Sequence, residues 1–113
     1  MDIKSLAQLG RVTKEVAIND QLKVKLHTLS VSEQQRALSS IPGGMGTDLS
    51  KFPYMQEAVL IEATEAINGE AVTKDEAKEF YKELQYTVAA KLFTEYSLIA
   101  EEQDKVLDGL KKN

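Results

Sequence analysis

Apolar positions change their period along this chain, and those changes divide it into segments. Val12, Val16 and Ile18 share one parity, while Leu22, Val24, Leu26 and Thr28 alternate with Lys23, Lys25 and His27. A period of two sends successive side chains to opposite faces of a strand. Asn19-Asp20-Gln21 between the two runs is turn chemistry, so residues 11–29 are predicted to form a β-hairpin. A lone hairpin is marginal in water, so its apolar face needs helices or a neighbouring subunit against it. Ahead of it, Ile3, Leu6 and Leu9 have helical spacing and Gly10 is a stop. A short helix and a frayed terminus both fit residues 1–10.

From Ser30 the period becomes helical. Ser30 with Glu33 matches a capping box, and Ser32 with Gln35 gives a second register. Ile41-Pro42-Gly43-Gly44 stops the run, which predicts a short helix over 30–41 with Val31, Leu38 and Ile41 facing inward. Residues 42–47 read as a flexible loop. A second helix is predicted over 48–68, capped by Asp48 or Ser50, with Pro53 in the first turn, where its missing N–H costs least. Phe52, Met55, Val59, Ala63 and Ala66 follow one stripe and Leu60, Ala63 and Ile67 a neighbouring one. Asn68-Gly69 then reads as a left-handed cap. Thr73 and Glu76 form another capping box, and no proline follows, which predicts one long C-terminal helix over 73–111. The predicted fold is mainly α within the α+β class. It is a single domain, 1–113, with an N-terminal β-hairpin followed by three helices, the last one long.

A helix over 73–111 would span roughly 55 to 60 Å, about twice the diameter of a small domain. It must project, bend near Thr94 to Ser97, or pair with another chain. Leu92, Tyr96, Ile99, Gln103, Val106 and Leu110 follow alternating four- and three-residue steps, the spacing of a short coiled-coil seam with one polar position. An apolar stripe that leaves its domain calls for a partner. Tyrosine is common at interfaces. Tyr86, Tyr96, Ile99, Val106 and Leu110 are therefore the candidate partner-binding residues.

Composition narrows the function more than the fold. The chain has 113 residues, 42% hydrophobic and 28% charged, which suits one globular domain with a modest core. The net charge of −4 and the scatter of lysines among acids do not suit a nucleic-acid binder, which concentrates its basic residues on one face. The longest apolar run, Ala58-Val59-Leu60-Ile61, falls far short of the about 20 residues of a membrane span. The N-terminal residues lack the apolar stretch of a signal peptide. No cysteine is present, so disulfides, thiolate metal sites and thiol nucleophiles are excluded.

Catalytic constellations are hard to assemble from what remains. His27, the single histidine, sits in the alternating strand beside Lys25, a solvent-side position. Gly43-Gly44-Met45-Gly46 lacks the Lys and Ser or Thr that a phosphate loop needs and follows a helix rather than a strand. Glu57, Glu62, Glu65, Glu101, Glu102 and Asp104 fall on outward helical positions, where a solvated face explains them without acid–base chemistry. Phe80, Tyr81, Tyr86, Phe93 and Tyr96 keep helical spacing, which suits packing better than base stacking. The expectation is a non-enzymatic protein with no cofactor and no metal.

The run from Leu22 to Gln35, an alternating strand leading through Leu29-Ser30-Val31-Ser32-Glu33 into a helix, resembles the opening of the tail assembly chaperones of long-tailed bacteriophages. The resemblance covers residues 11–41 in pattern and the rest only in the order of elements. It implies a short protein of the host cytoplasm that shields a helical partner, the tape-measure protein or another tail protein, during tail assembly. Self-association into a homo-oligomer is a trait of such proteins, and no residue role carries over singly. The alternative is a permanent structural subunit of the virion, in the tail, baseplate or head-completion machinery, that uses its hairpin to extend a neighbour's sheet.

Overall fold

A computed structural model describes residues 2–44, 46 and 48–111, with side chains as far as Asp108. Helix accounts for 59% of the chain and strand for 15%, so the protein is α+β, with an early hairpin and a long C-terminal helix. The elements run α1 (Ile3–Ala7), β1 (Thr13–Ala17), β2 (Lys23–His27), α2 (Val31–Ser39), a 3-10 turn (Leu49–Lys51), α3 (Phe52–Ala63), β3 (Thr64–Ile67), β4 (Glu70–Ala71), α4 (Lys74–Glu83) and α5 (Tyr86–Lys111). The loop predicted over 42–47 lies partly outside the described residues, at Met45 and Thr47.

The hairpin forms where the alternation placed it. Asn19 Oδ1 accepts from the amides of Gln21 and Leu22, at 2.8 and 3.0 Å, and so builds the turn. Val16 pairs with Val24 on the core face, and Leu26 continues that face. The hairpin is not alone, however. β3 and β4 complete an antiparallel sheet of order β1-β2-β3-β4. The helix predicted to run to residue 68 therefore stops at Ala63. Thr64 turns extended, at φ −81° and ψ 120°, and its hydroxyl donates to the Leu60 carbonyl at 2.7 Å. Val24 gains Ile67 as a cross-strand neighbour. Pairing the exposed edge of β2 outweighs a helical preference that is worth only tenths of a kcal/mol per residue. Asn68 and Gly69, at φ 51° and 83°, are the two-residue turn of a second hairpin rather than a helix cap. Both structures need positive φ there, so the dipeptide fits either.

The predicted long helix is two helices. Leu84 is extended at ψ 143°, and the chain resumes as α5 from Tyr86. The break lies ten residues before the stretch at Thr94 to Ser97. It lets α4 and α5 both pack on α3, burying Ala77 and Tyr81 from one and Leu92 and Ile99 from the other. At 26 residues α5 is about 39 Å long, within the 44 Å longest dimension of the molecule. From Glu101 to Asp108 every residue but Gln103 is exposed.

Helices α3 and α5 cover one face of the sheet. The core joins Val16, Val24 and Leu26 to Leu60, Ala63, Tyr81, Leu92 and Ile99. Two more predictions need correction. In α2 the enclosed residues are Ala37, with Ile41 just beyond, while Val31 and Leu38 are exposed. The small Ala37 allows close approach to α3, which a leucine at that position would prevent. His27 is on the outer face of the sheet by parity but is only 3% exposed, because it ends its strand beneath the first turn of α2. Its Nδ1 donates to the Thr28 carbonyl at 2.8 Å, and its Nε2 lies 3.5 Å from Glu33 Oε2.

Candidate functional site

The structure separates the five residues predicted to bind a partner. Ile99 is 1% exposed and belongs to the core, so it is not available to another molecule. Tyr96 is half-buried. Its ring stacks on Phe93 with centroids 6.1 Å apart, and Phe93 meets Phe52 edge-on at 5.8 Å. Burial pushes the Tyr96 phenol up, opposed by a hydrogen bond with the Leu29 backbone and reinforced by the nearby Glu33 charge. Tyr86 and Val106 are exposed, at 60% and 46%. They stand at opposite ends of α5, about 30 Å apart along its axis, so they do not form one patch. The side chain of Leu110 lies outside the described residues.

Val106 has neighbours that spacing on α5 alone did not supply. Asp2 caps α1 by accepting from the Ser5 amide at 2.8 Å, and nothing in α1 is buried. Leu6 and Leu9 are about half exposed and Ile3 more so. The chain leaves α1 through Gly10, whose φ of 83° suits glycine. A methyl group there would stand 2.9 Å from the Leu107 side chain, so the backbone at Gly10 lies directly on α5. Leu9 and Gln103 also share a small recess with Thr28 and Leu29. Two segments that carry exposed apolar side chains, Leu6 and Leu9 on one and Val106 and Leu107 on the other, therefore meet at Gly10. The helical spacing of Ile3, Leu6 and Leu9 was a signal for the first half of this surface. Nothing in the sequence placed α1 beside the end of α5.

A groove of about 280 Å³ runs between α2, α3 and α4 and contains Glu57 and Glu62. Glu62 is not the solvated residue its spacing suggested, being 8% exposed. Arg36 reaches its Oε1 through Nε at 3.2 Å and Nη2 at 3.1 Å, and Lys74 Nζ stands 4.0 Å away. Lys74 also donates to the Glu62 carbonyl at 2.7 Å, satisfying a carbonyl of the last turn of α3. A carboxylate held between two cations ties α2, α3 and α4 together. Glu65 is half-buried and pairs with Arg11 and Lys25 across the outer face of the sheet.

A second, smaller notch of about 170 Å³ opens where α4 gives way to α5. Pro53 and Gln56 of α3 form one side, and Tyr81, Leu84, Tyr86 and Ala89 the other. Tyr81 is fixed beneath it. The Thr64 hydroxyl is committed to the Leu60 carbonyl, so Tyr81 donates to Thr64 Oγ1, at 2.7 Å. Burial pushes the Tyr81 phenol up to about 12, more than that hydrogen bond lowers it.

Among the described residues, no group of three or more His, Cys, Asp or Glu could hold a metal ion, and no helix is long and apolar enough to cross a membrane. No family model matches the chain, and comparison with curated proteins and with solved structures yields no match.

Proposed function

We propose that this protein is a non-enzymatic protein-binding factor of bacteriophage tail assembly, acting in the host cytoplasm to shield a helical partner such as the tape-measure protein. The observation that carries the binding role is the exposure of Leu6, Leu9, Val106 and Leu107 on the two segments that meet where Gly10 lies on Leu107. Large apolar side chains gathered at one place on a small protein mark an interaction surface more often than singly scattered ones do. Their partial exposure suits a reversible contact, which a coating protein needs. The tail-assembly assignment rests on the resemblance of residues 22–35, now joined to a hairpin and a capped α2 that match its order of elements.

The edge of the sheet supports this reading over sheet extension in a virion subunit. Val16 of the edge strand β1 and Ile18 just beyond it face the core, and Lys14 shares their parity while remaining exposed, which puts a charge on that side of the edge. Charges so placed discourage strand addition.

The test is co-expression with tail proteins, the tape-measure protein foremost, followed by light scattering of the purified complex. Leu6→Asp with Val106→Asp should abolish the complex while moving the melting temperature by only a few degrees, since both positions are surface ones. A complex that survives the double substitution would overturn the assigned surface. Failure of the wild-type protein to retain any tail protein would overturn the function.

A further inference from the structure

Asn68 and Gly69 form the exposed turn between β3 and β4. Of the three asparagines in the chain, only Asn68 precedes a glycine. Its side chain is held at both ends. Oδ1 accepts from the Lys23 amide at 2.8 Å, and Nδ2 donates to the Gln21 carbonyl at 2.9 Å. One partner only donates and the other only accepts, so they fix which end of the side chain is which. The Asn68 backbone amide also donates to the Lys23 carbonyl, at 2.8 Å. Three bonds thus clasp the second turn to the first hairpin where β2 begins. Gly69, by contrast, faces open space, and a methyl group there would meet no described atom within 4 Å.

Asparagine is among the thermolabile residues, and a following glycine supplies the reagent. The Gly69 nitrogen, once it gives up its proton, can attack the Asn68 side-chain carbonyl carbon, and no side chain on Gly69 obstructs it. Attack closes a five-membered succinimide and expels the side-chain nitrogen as ammonia. Water then opens the ring at either carbonyl and leaves aspartate or isoaspartate at position 68. The side-chain carbon must swing onto the Gly69 nitrogen for this to start. In the closed fold its two polar atoms are held on Gln21 and Lys23 instead, so the clasp has to open first. We propose that Asn68 is a site of spontaneous deamidation and that its clasp to Gln21 and Lys23 gates the reaction. The product undoes the gate. A carboxylate has no N–H for the Gln21 carbonyl and sets a negative oxygen against it. Isoaspartate also adds a methylene to the backbone of a turn that fixes the β3–β4 register. Each converted molecule gains one negative charge on a chain at −4. None of this chemistry depends on the tail-assembly role.

The test is incubation of the full chain at mildly alkaline pH, folded and in guanidinium chloride, followed by digestion and mass spectrometry. Amide-to-acid conversion should concentrate at Asn68, with both product isomers, and spare Asn19, which precedes Asp20. It should run at least about tenfold slower in the folded chain, because only the open fraction reacts. Gly69→Ala should suppress conversion in denaturant, where the fold plays no part, since a methyl group crowds the attacking nitrogen. Lys23→Pro deletes the amide that holds Oδ1, at the first position of β2, where proline is tolerated. It should quicken conversion in the folded chain several-fold and leave the rate in denaturant unchanged. Equal rates in the folded and denatured chain would overturn the gate, as would Lys23→Pro without acceleration. Conversion in denaturant that bypasses Asn68 would overturn the site.

Discussion

The two halves of α5 carry one apolar stripe and meet different fates. Leu92 and Ile99 are sealed, at 0% and 1% exposure, whereas Val106 and Leu107, about two turns beyond Ile99, are 46% and 37% exposed. The helix is continuous across them, so geometry within α5 does not cause the difference. What stands opposite does. Helix α5 packs on β1, β2 and α3, where Leu92 and Ile99 join the core, whereas Leu107 meets the backbone at Gly10. A stripe read from sequence says which side of a helix is apolar. It does not say how far along the helix the body extends. The break at Leu84 decides that, because it draws the start of α5 back onto α3.

The strongest way to test this contrast is to truncate both halves. Ile99→Ala should cost about 3 kcal/mol, the usual loss for removing a sealed branched side chain and leaving a cavity. Val106→Ala should cost under about 0.5 kcal/mol, as for a surface site. Urea denaturation of the two variants measures both. Comparable losses would mean that the second half is also core and would remove the exposed apolar residues on which the proposed function depends.

What could be read in advance follows the same division between local and distant causes. The first hairpin and both capping boxes were legible because their partners lie within a few residues. Asn19 bonds the amides of Gln21 and Leu22, Ser30 trades bonds with Glu33, and Thr73 does so with Glu76. The strand β3 was not legible. Ala63, Ala66 and Ile67 continue a helical stripe, and only β2, some forty residues earlier, makes the extended form preferable. The break at Leu84 was equally silent, since neither glycine nor proline marks it. Of the candidate site residues, Tyr86 and Val106 are exposed, whereas Ile99 is enclosed in the core. The neighbours Leu9 and Leu107 emerge only when the fold sets Gly10 on α5.

That contact can be loosened directly. Gly10→Ala should cost about 1–2 kcal/mol, because a side chain at φ 83° is strained and its methyl meets Leu107. The two causes separate in a double-mutant cycle with Leu107→Ala. If α1 is held by this contact, the pair should be less destabilising than the sum of the singles by at least about 0.5 kcal/mol. Additive losses would mean that only backbone strain acts and that α1 lies free of α5. Hydrogen exchange in α1 should quicken in Gly10→Ala, with little change in the centre of α5.

The smallest effect tests the locally encoded side of the contrast, at the start of α2. Burial pushes the Glu33 carboxyl up, but the Ser30 amide and hydroxyl, with His27 and Lys74, together outweigh it and hold the group below its ordinary 4.5. The folded protein therefore keeps Glu33 ionised at a pH where the unfolded chain has begun to protonate it. Its contribution is complete above the unfolded value and is lost as pH falls through the lower, folded one. Ser30→Ala removes the hydroxyl that accepts from the Glu33 amide at 3.2 Å, and should cost about 1 kcal/mol at neutral pH. Glu33→Gln should flatten the acid limb of the stability curve below pH 4.5, because the titrating group is gone. Both variants should leave the exposure of Val106 untouched and keep any tail-protein complex. An unchanged acid limb in Glu33→Gln would place the acid sensitivity elsewhere and would show that this capping box is held by its backbone bonds alone.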